Sequence, residues 1–168
     1  MSRVYLLRHA KAASALPGKR DFDRHLSAGG AKMAARLGQT MAGKSLIPDL
    51  VICSPSVRTR ETWAEIAIQM PFEIETRFDR ALYDGPPGSY FDAIRSGDAK
   101  GSILIIGHNP MTEETAFQLA GGANPDAIAL LDKGYPPGGL TVFDLAGDLS
   151  AAKAKSGFLQ VFLTDGIL

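Results

Sequence analysis

Short apolar runs recur along the chain and predict the central strands of a sheet. Three of these runs stop abruptly at polar segments, namely Val4 to Leu7, Leu50 to Cys53 and Ile103 to Ile106. An unbroken apolar run is typical of a strand buried on both faces, as in a parallel sheet. Two later stretches, Leu140 to Leu145 and Phe158 to Leu163, alternate less cleanly and predict the last two strands.

Helical patterns lie between these strands, with apolar residues at three- and four-residue spacing and residues suited to helix ends. The predicted helices run from the N-cap Ser27 to Gly43, from about Val57 to Met70, and from Pro110 until Gly121-Gly122. The predicted loops, each with a Pro-Pro-Gly sequence, are Tyr83 to Ser89 and Gly134 to Gly139. The alternation predicts a single domain over residues 1–168, a three-layer α/β/α sandwich with a mostly parallel sheet.

The composition fits a globular protein with one core. A chain of 168 residues buries roughly 70% of its unfolded surface on folding and is too short for two ordinary domains. Its hydrophobic content of 45% and charged content of 21% exclude a disordered chain. Eighteen basic residues balance eighteen acidic ones, so no overall field favours nucleic acid or an anionic membrane, and any anion site must be local.

Two features lead us to expect a cytoplasmic protein. The apolar run from Val4 to Leu7 is too short for a signal-peptide core or a membrane span. The lone cysteine, Cys53, cannot form an internal disulfide, and its apolar neighbours predict a buried thiol in a reducing compartment.

Two of the three histidines lie where predicted strands end. His9 follows the first run and is preceded by Arg8, while His108 and Asn109 follow the third run after one glycine. In open α/β sheets, ligands bind just beyond the carboxyl ends of the strands, so we expect both histidines at one crevice. A histidine at a strand end can also be structural, and either position alone leaves that alternative open.

Arg58 lies near the start of the helix after the second strand, with Arg60 as its neighbour. A helix N-terminus offers free N–H groups, and a guanidinium adds a planar fork that suits phosphate oxygens. Such a crevice suits phosphoryl transfer through a covalent histidine intermediate, because an imidazole nitrogen can attack phosphorus while arginines neutralise the oxygens. The guanidiniums would also disfavour protonation of His9 and keep it nucleophilic.

The sequence gives no sign of a metal site or a cofactor. It contains neither a Cys/His cluster nor a His-Glu-x-x-His helix. No glycine-rich phosphate loop or dinucleotide fingerprint follows a predicted strand, which excludes nucleotide-dependent kinases and dehydrogenases. We therefore expect a site that needs no cofactor and no metal.

Four motifs together resemble the histidine phosphatase superfamily, whose fold is also called phosphoglycerate mutase-like. They are similar in particular to those of its small SixA-type phosphohistidine phosphatase branch. The motifs are Leu7-Arg8-His9-Ala10-Lys11, Asp23-Arg24-His25-Leu26-Ser27, Ser54-Pro55 with Arg58 and Thr62, and Gly107-His108-Asn109-Pro110. His25 stands where the small branch usually has a proline.

The resemblance implies a role for each matching residue. The phosphorylated nucleophile would be His9, and the phosphate-binding residues would be Arg8, Arg58, His108 and Asn109. Arg58 is preferred to Arg60 because the family's arginine stands four residues before the threonine, here Thr62.

Other charged residues have two possible interpretations, a functional role or a place on the solvated surface. The glutamate general acid of larger family members has no obvious counterpart here. Asp84 occupies a comparable loop, where it is either the proton donor or a solvated residue. Lys11, Arg20 and Arg24 are either solvated or support anion binding.

The function that the resemblance implies is a cofactor-independent phosphatase. Its substrate would be the phosphohistidine of a partner protein or a small phosphorylated metabolite. A phosphomutase is an alternative, although the short chain lacks most of the loops that cap a sugar phosphate. A non-catalytic phosphate-binding interaction module is another, against which the intact set of two histidines and two arginines argues.

Overall fold

Seven strands form one sheet through the centre of the protein. The computed structural model describes residues 1–167. Its strands are β1 (Ser2–Arg8), β2 (Leu50–Cys53), β3 (Glu75–Phe78), β4 (Ser102–Gly107), β5 (Ala120–Ala123), β6 (Leu140–Leu145) and β7 (Gly157–Leu163). They lie in the order β3-β2-β4-β1-β6-β7-β5, and within this sheet β6 runs antiparallel to both neighbours while the other pairings are parallel. The predicted mostly parallel sheet is confirmed, with all five predicted strands in place.

Helices cover both faces of this sheet. They are α1 (Ala28–Gly43), α2 (Val57–Ala67), α3 (Ala81–Asp84), α4 (Ser89–Arg95), α5 (Met111–Leu119) and α6 (Pro125–Leu131), with short 3₁₀ helices at Asp21–Asp23 and Leu149–Ala151. Helices α1 and α2 contribute to the core on one face, and α3 to α6 contribute to the core on the other. The predicted three-layer sandwich is confirmed.

The buried strands supply both cores at once. In β1, Tyr5 and Leu7 belong to the core under α1 and α2, whereas Val4 and Leu6 belong to the opposite core. Successive side chains of a strand point to opposite faces, so a strand between two helix layers must be apolar throughout. This requirement explains the unbroken apolar runs of β1, β2 and β4.

The predicted loop from Tyr83 to Ser89 is shorter in the structure than expected. Residues up to Asp84 belong to α3 and Ser89 begins α4, so residues 85–88 alone connect the two helices. Packing explains the difference, because each short helix buries a large side chain, Leu82 in α3 and Tyr90 in α4.

Other differences concern elements with weak sequence patterns. Helix α2 ends at Ala67 rather than Met70, which lies in a turn. Strands β3 and β5 and helix α6 occupy segments for which no element is predicted, and both strands are at edges of the sheet, where an apolar run is not required. In β5, Gly121 lets the Lys155 carbonyl approach so closely that a Cβ would overlap it.

Cys53 is buried, as predicted. Burial raises the pKa of its thiol to about 12, so the thiol stays protonated.

None of the helices in residues 1–167 combines the length and apolar character that a membrane span needs. The cytoplasmic location and the single domain stay predictions, the second supported by one sheet whose strands come from residues 2–163.

The carboxyl ends of three neighbouring strands meet at one edge of the sheet. Strand β4 lies between β1 and β2 and pairs in parallel with both. The residues that follow these strands therefore leave the sheet side by side, as the rule for open α/β sheets predicts. They are His9, Ser54 and His108.

The first turn of α1 is held close to the segment after β1, and this contact can be tested. A Cβ at Gly30 would overlap the backbone carbonyl oxygen of Lys11. Because a backbone atom fills the space, we expect Gly30→Ala to lower the free energy of unfolding by about 1 to 3 kcal/mol, the usual cost of overpacking. Urea unfolding measures this loss.

Gly29 is the matched control in the same helical turn. The nearest atom to a Cβ at this position would be the Ser27 Oγ, 3.9 Å away. Gly29→Ala should therefore be neutral or stabilise the protein by up to about 1 kcal/mol, since alanine restricts the unfolded chain. Equal effects at Gly29 and Gly30 would show that the Lys11 contact is not the cause.

Candidate active site

His9 is oriented by its own backbone segment. Its Nδ1 lies 2.7 Å from the Ala10 carbonyl oxygen, which can only accept a hydrogen bond, so Nδ1 carries the proton. The other nitrogen, Nε2, therefore holds the lone pair and accepts a hydrogen bond of 3.2 Å from Nε of Arg58. The Ala10 amide is tied in turn to Thr62 Oγ1 at 3.0 Å. The unprotonated nitrogen of His9 thus faces the guanidinium of Arg58.

His9 is neutral at physiological pH. Burial lowers the pKa of its imidazole to about 4, and the positive charges of Arg58, Arg8 and Arg24 act in the same direction. The residue is 7% exposed, which is why removal from water is the largest cause. The predicted effect of the guanidiniums is confirmed in direction, but it adds to a larger effect of burial.

Arg58 joins several parts of the site. It stands in the first turn of α2, and its side chain is 6% exposed. Besides its bond to His9, it donates from Nη1 to the Asp21 carbonyl at 2.8 Å and from Nη2 to the Asp21 carboxylate at 2.9 Å. Arg60, two residues further along the same helix, is exposed. The structure therefore brings Arg58, and not Arg60, to His9.

His108 lies beside His9, with ring centroids 5.3 Å apart. Burial, together with the nearby His9 and Arg58, lowers its pKa to about 3, so it too is neutral. Its Nδ1 is 3.3 Å from Nη2 of Arg58, which can only donate, and its Nε2 is 2.8 Å from Ser54 Oγ. The single N–H of this neutral ring therefore points to Ser54.

Arg8 and Asn109 meet at the backbone carbonyl of Tyr135. Nη1 of Arg8 donates to this oxygen at 2.8 Å, and Nδ2 of Asn109 donates to it at 3.2 Å. Each side chain keeps one buried polar atom without a hydrogen bond, Nε of Arg8 and Oδ1 of Asn109. Burial lowers the pKa of Arg8 from its ordinary value, which is the electrostatic cost of placing a cation here. The Nε–H of Arg8 is thus a free buried donor, whereas the free Oδ1 of Asn109 can only accept a hydrogen bond.

Asp84 is engaged away from this cluster. Its carboxylate accepts hydrogen bonds of 2.7 and 2.9 Å from Arg80, and its side chain is 50% exposed. The Arg80 hydrogen bonds hold the pKa of Asp84 below its usual value, so the group is ionised at neutral pH. This geometry favours a surface ion pair over a proton donor.

The three remaining candidate cations differ in their surroundings. Lys11 is exposed, and Arg20 is paired with Asp23 at 2.7 Å on the surface. Arg24 is partly buried, and its charge contributes to the lowered pKa of His9. Of the three, Arg24 is the one whose charge acts on His9. Within residues 1–167, no three His, Cys, Asp or Glu side chains are grouped so that they could hold a metal ion.

Comparison with known proteins gives the family. The family model of the histidine phosphatase superfamily (branch 1) matches residues 4–84. A crystal structure from Agrobacterium tumefaciens, provisionally identified as the phosphohistidine phosphatase SixA, is 33% identical, with a TM-score of 0.83 over 97% of both chains. The chain belongs to the histidine phosphatase superfamily.

Two further histidine phosphatases extend this likeness. The phosphohistidine phosphatase SixA homolog of Haemophilus influenzae is 29% identical over 73% of this chain and 79% of its own. The protein histidine phosphatase SixA in complex with tungstate is 17% identical, with a TM-score of 0.78 over 98% of this chain and 97% of that one, and it shows the shared fold alone. The phosphoglycerate mutase-like fold implied by the motifs is confirmed.

Several residues of this histidine phosphatase site are not predicted from the sequence. Asp21 and Tyr83 reach the site from a 3₁₀ turn and from α3, and no periodic pattern marks either position. Ser54 and Tyr135 hold His108 and Arg8 by hydrogen bonds that depend on the folded loops. A signal was available for Ser54 alone, because it belongs to the Ser-Pro motif.

The lowered pKa values predict that this histidine phosphatase loses stability in acid. His9 and His108 have pKa values of about 4 and about 3 when folded, whereas a histidine in an unfolded chain has a pKa near 6.5. Between these values the unfolded chain binds more protons, so the free energy of unfolding falls as the pH drops from about 7 toward 4. His9 alone accounts for roughly 3 kcal/mol.

A His9→Asn variant isolates this contribution. Above about pH 7 the two proteins should differ by a constant unfolding free energy, because histidine is neutral in both states there. Below that pH the wild type should lose stability relative to the variant, by up to about 3 kcal/mol near pH 4. Chemical unfolding at a series of pH values measures the difference. A difference that stays constant down to pH 4 would contradict a neutral, buried His9.

Proposed function

We propose that the protein is a phosphatase that hydrolyses phosphohistidine or small phosphomonoesters through a phosphohistidine intermediate on His9. The observation that carries this proposal is the state of His9: its Nδ1 proton is fixed on the Ala10 carbonyl, and its Nε2 lone pair faces Arg58 at 3.2 Å. A neutral imidazole with a fixed tautomer is ready to attack phosphorus. The family membership supports the same reaction class.

In the first step, Nε2 of His9 attacks the phosphorus atom of the substrate. A nitrogen–phosphorus bond forms, and the bond between phosphorus and the leaving group breaks, with its electron pair going to the leaving group. Arg8 and Arg58 would neutralise the phosphoryl oxygens, and the free Nε of Arg8 is a donor available for one of them. Asn109 shares the Tyr135 carbonyl with Arg8, and its other N–H is taken by Glu113, so Asn109 would have to release one of these two bonds to donate to a phosphoryl oxygen.

His108 needs a proton to help bind the phosphoryl group. In the free enzyme its N–H is used by Ser54, and its Nδ1 accepts from Arg58. A phosphoryl anion beside the ring would raise the pKa of His108, because a nearby negative charge favours the imidazolium form. His108 would then donate from Nδ1 to a phosphoryl oxygen.

In the second step, water attacks the phosphohistidine. The bond between Nε2 and phosphorus breaks, its electron pair returns to the imidazole, and inorganic phosphate leaves. Leaving groups that need little protonation, such as aryl oxides, should be preferred in the first step because Asp84 is held in an ion pair with Arg80. The named relatives point to phosphohistidine as a substrate class, and the tungstate bound by one of them is an oxyanion of the same geometry as phosphate.

The covalent intermediate gives the direct test. Incubation with a substrate carrying a labelled phosphoryl group should label the wild-type enzyme, and His9→Ala should abolish both label and turnover while the protein stays folded. His25→Ala is the matched control, since His25 is an exposed histidine paired with Glu61. A phosphomutase would pass the label to an acceptor alcohol instead of to water. Binding of phosphate without label or turnover would favour an interaction module.

Arg58 and Arg60 offer a second test. We expect Arg58→Ala to lower kcat/KM by about 30- to 1000-fold, since removal of a preorganised donor for transition-state charge costs about 2 to 4 kcal/mol. Arg60→Ala, at an exposed position of the same helix, should change kcat/KM by less than about threefold. Steady-state kinetics of both variants decide between them. A severe loss of kcat/KM in Arg60→Ala with a mild loss in Arg58→Ala would show that Arg60, and not Arg58, binds the phosphoryl group.

A further inference from the structure

The carboxylate of Asp21 reaches the site from outside the four sequence motifs. It stands at the start of the 3₁₀ helix Asp21–Asp23, between β1 and α1. Its Oδ2 accepts hydrogen bonds from Nη2 of Arg58 at 2.9 Å and from the Tyr83 hydroxyl at 3.0 Å, and its Oδ1 is 3.8 Å from Nη1 of Arg24. Asp21 therefore shares the guanidinium of Arg58 with the nucleophile His9.

Other carboxylates nearby are held elsewhere. Asp23 is paired with Arg20, and Asp84 is paired with Arg80, both on the surface. Glu61 binds His25 and the Leu26 amide. Glu113 accepts a hydrogen bond from Asn109 at 3.1 Å. Asp21 is thus the carboxylate whose position is fixed by the same arginine that contacts His9.

Hydrolysis of a phosphohistidine needs a group that accepts a proton. As water attacks phosphorus, one of its O–H bonds must break, and a general base at hydrogen-bond distance accelerates this step. Among the site residues described above, the arginines carry no lone pair for this purpose, and the lone pair of His108 is taken up by Arg58. A carboxylate beside the phosphoryl group is the natural acceptor.

We propose that Asp21 is the general base for hydrolysis of the phosphorylated enzyme. This inference rests on the proposed phosphohistidine intermediate. The water oxygen forms a bond to phosphorus, the bond between phosphorus and Nε2 of His9 breaks with its electron pair returning to the ring, and the proton of the water passes to a carboxylate oxygen of Asp21. The side chain of Asp21 is 53% exposed, so the proton can then leave to solvent.

The surroundings of Asp21 keep it ready for this role. Partial burial alone would raise its pKa, but the Arg58 hydrogen bond and charge, the Tyr83 hydrogen bond and the charge of Arg24 hold the pKa below its ordinary value. The group is therefore an ionised acceptor in the free enzyme. A phosphoryl group on His9 adds negative charge beside Asp21, Arg58 and His108, which raises the proton affinity of the carboxylate when it is needed.

Tyr83 is a positioning residue for this carboxylate. Its hydroxyl donates to Asp21, and its ring packs edge-on against His108 and Phe22, with centroid distances of 5.4 and 5.0 Å. Burial and the Asp21 carboxylate raise the pKa of Tyr83, so its hydroxyl stays a donor. The ring contacts fix the direction of the hydroxyl, and the hydroxyl fixes the carboxylate.

The experiment separates formation of the phosphorylated enzyme from its hydrolysis. An aryl phosphate with a labelled phosphoryl group serves as substrate, because its leaving group needs no proton. Release of the phenolate reports phosphorylation of His9, and loss of label from the enzyme after dilution reports hydrolysis. The variants are Asp21→Asn, Asp21→Ala for rescue by a small carboxylate and, as a matched control on the same 3₁₀ turn, Asp23→Asn.

We expect Asp21→Asn to slow the loss of label on the order of 10²-fold while phenolate release in the first turnover changes by less than about threefold. Labelled enzyme should then accumulate. Asp23→Asn should behave as the wild type. Formate added to Asp21→Ala should restore part of the rate of hydrolysis, since a small carboxylate can occupy the space left by the side chain.

Two results would overturn the inference alone, and a third would overturn it together with the proposed function. Equal slowing of phenolate release and of label loss in Asp21→Asn would show that Asp21 acts only by orienting Arg58. Label loss at the wild-type rate would show that the water needs no base at this position. Turnover without any labelled enzyme, in wild type and variants alike, would instead refute the covalent intermediate of the proposed function and the inference with it.

Discussion

The parallel pairing of β4 with β1 and β2 is the constraint on which the site depends. This pairing places the ends of three strands at one edge, and His9, His108 and Ser54 follow those ends directly. The pairing is fixed by burial on both faces, because a shift of one residue would exchange the two cores. The positions of His9, His108 and Ser54 are therefore set by strands buried in the core, and the segments outside these strands add the charged residues around them.

The charge balance of the site is unusual for a buried cluster. Arg8 and Arg58 lie close to two imidazoles that burial keeps neutral, and the carboxylates of Asp21, beside Arg58, and Glu113, near Arg8, offset part of this positive charge. An uncompensated buried cation costs free energy, which an incoming phosphoryl anion can return as binding energy. In the proposed reaction, stability given up in the free enzyme would in this way be recovered as affinity for the substrate and its transition state.

The sequence predicted the centre of the fold better than its edges. Strands β1, β2 and β4 are recognisable because burial on two faces leaves only apolar residues, whereas β3 at the edge reads Glu-Thr-Arg-Phe and is largely exposed. The motif residues His9, Arg58 and His108 were identified from their spacing together with the family resemblance. Asp21 was not, because its place in the site comes from a single 3₁₀ turn and from contacts between segments far apart in the chain.

Tyr135 connects the side chains of Arg8 and Asn109 to the neighbouring strands β1 and β6. Its backbone carbonyl orients Arg8 and Asn109, while its buried hydroxyl donates to the Leu6 carbonyl at 2.6 Å and accepts from the Thr141 amide at 3.1 Å. The main chain of Tyr135 thus orients the two side chains, and its side chain anchors it to the sheet. The positions of Arg8 and Asn109 consequently vary as little as those of the sheet, and less than those of side chains held by a solvated loop.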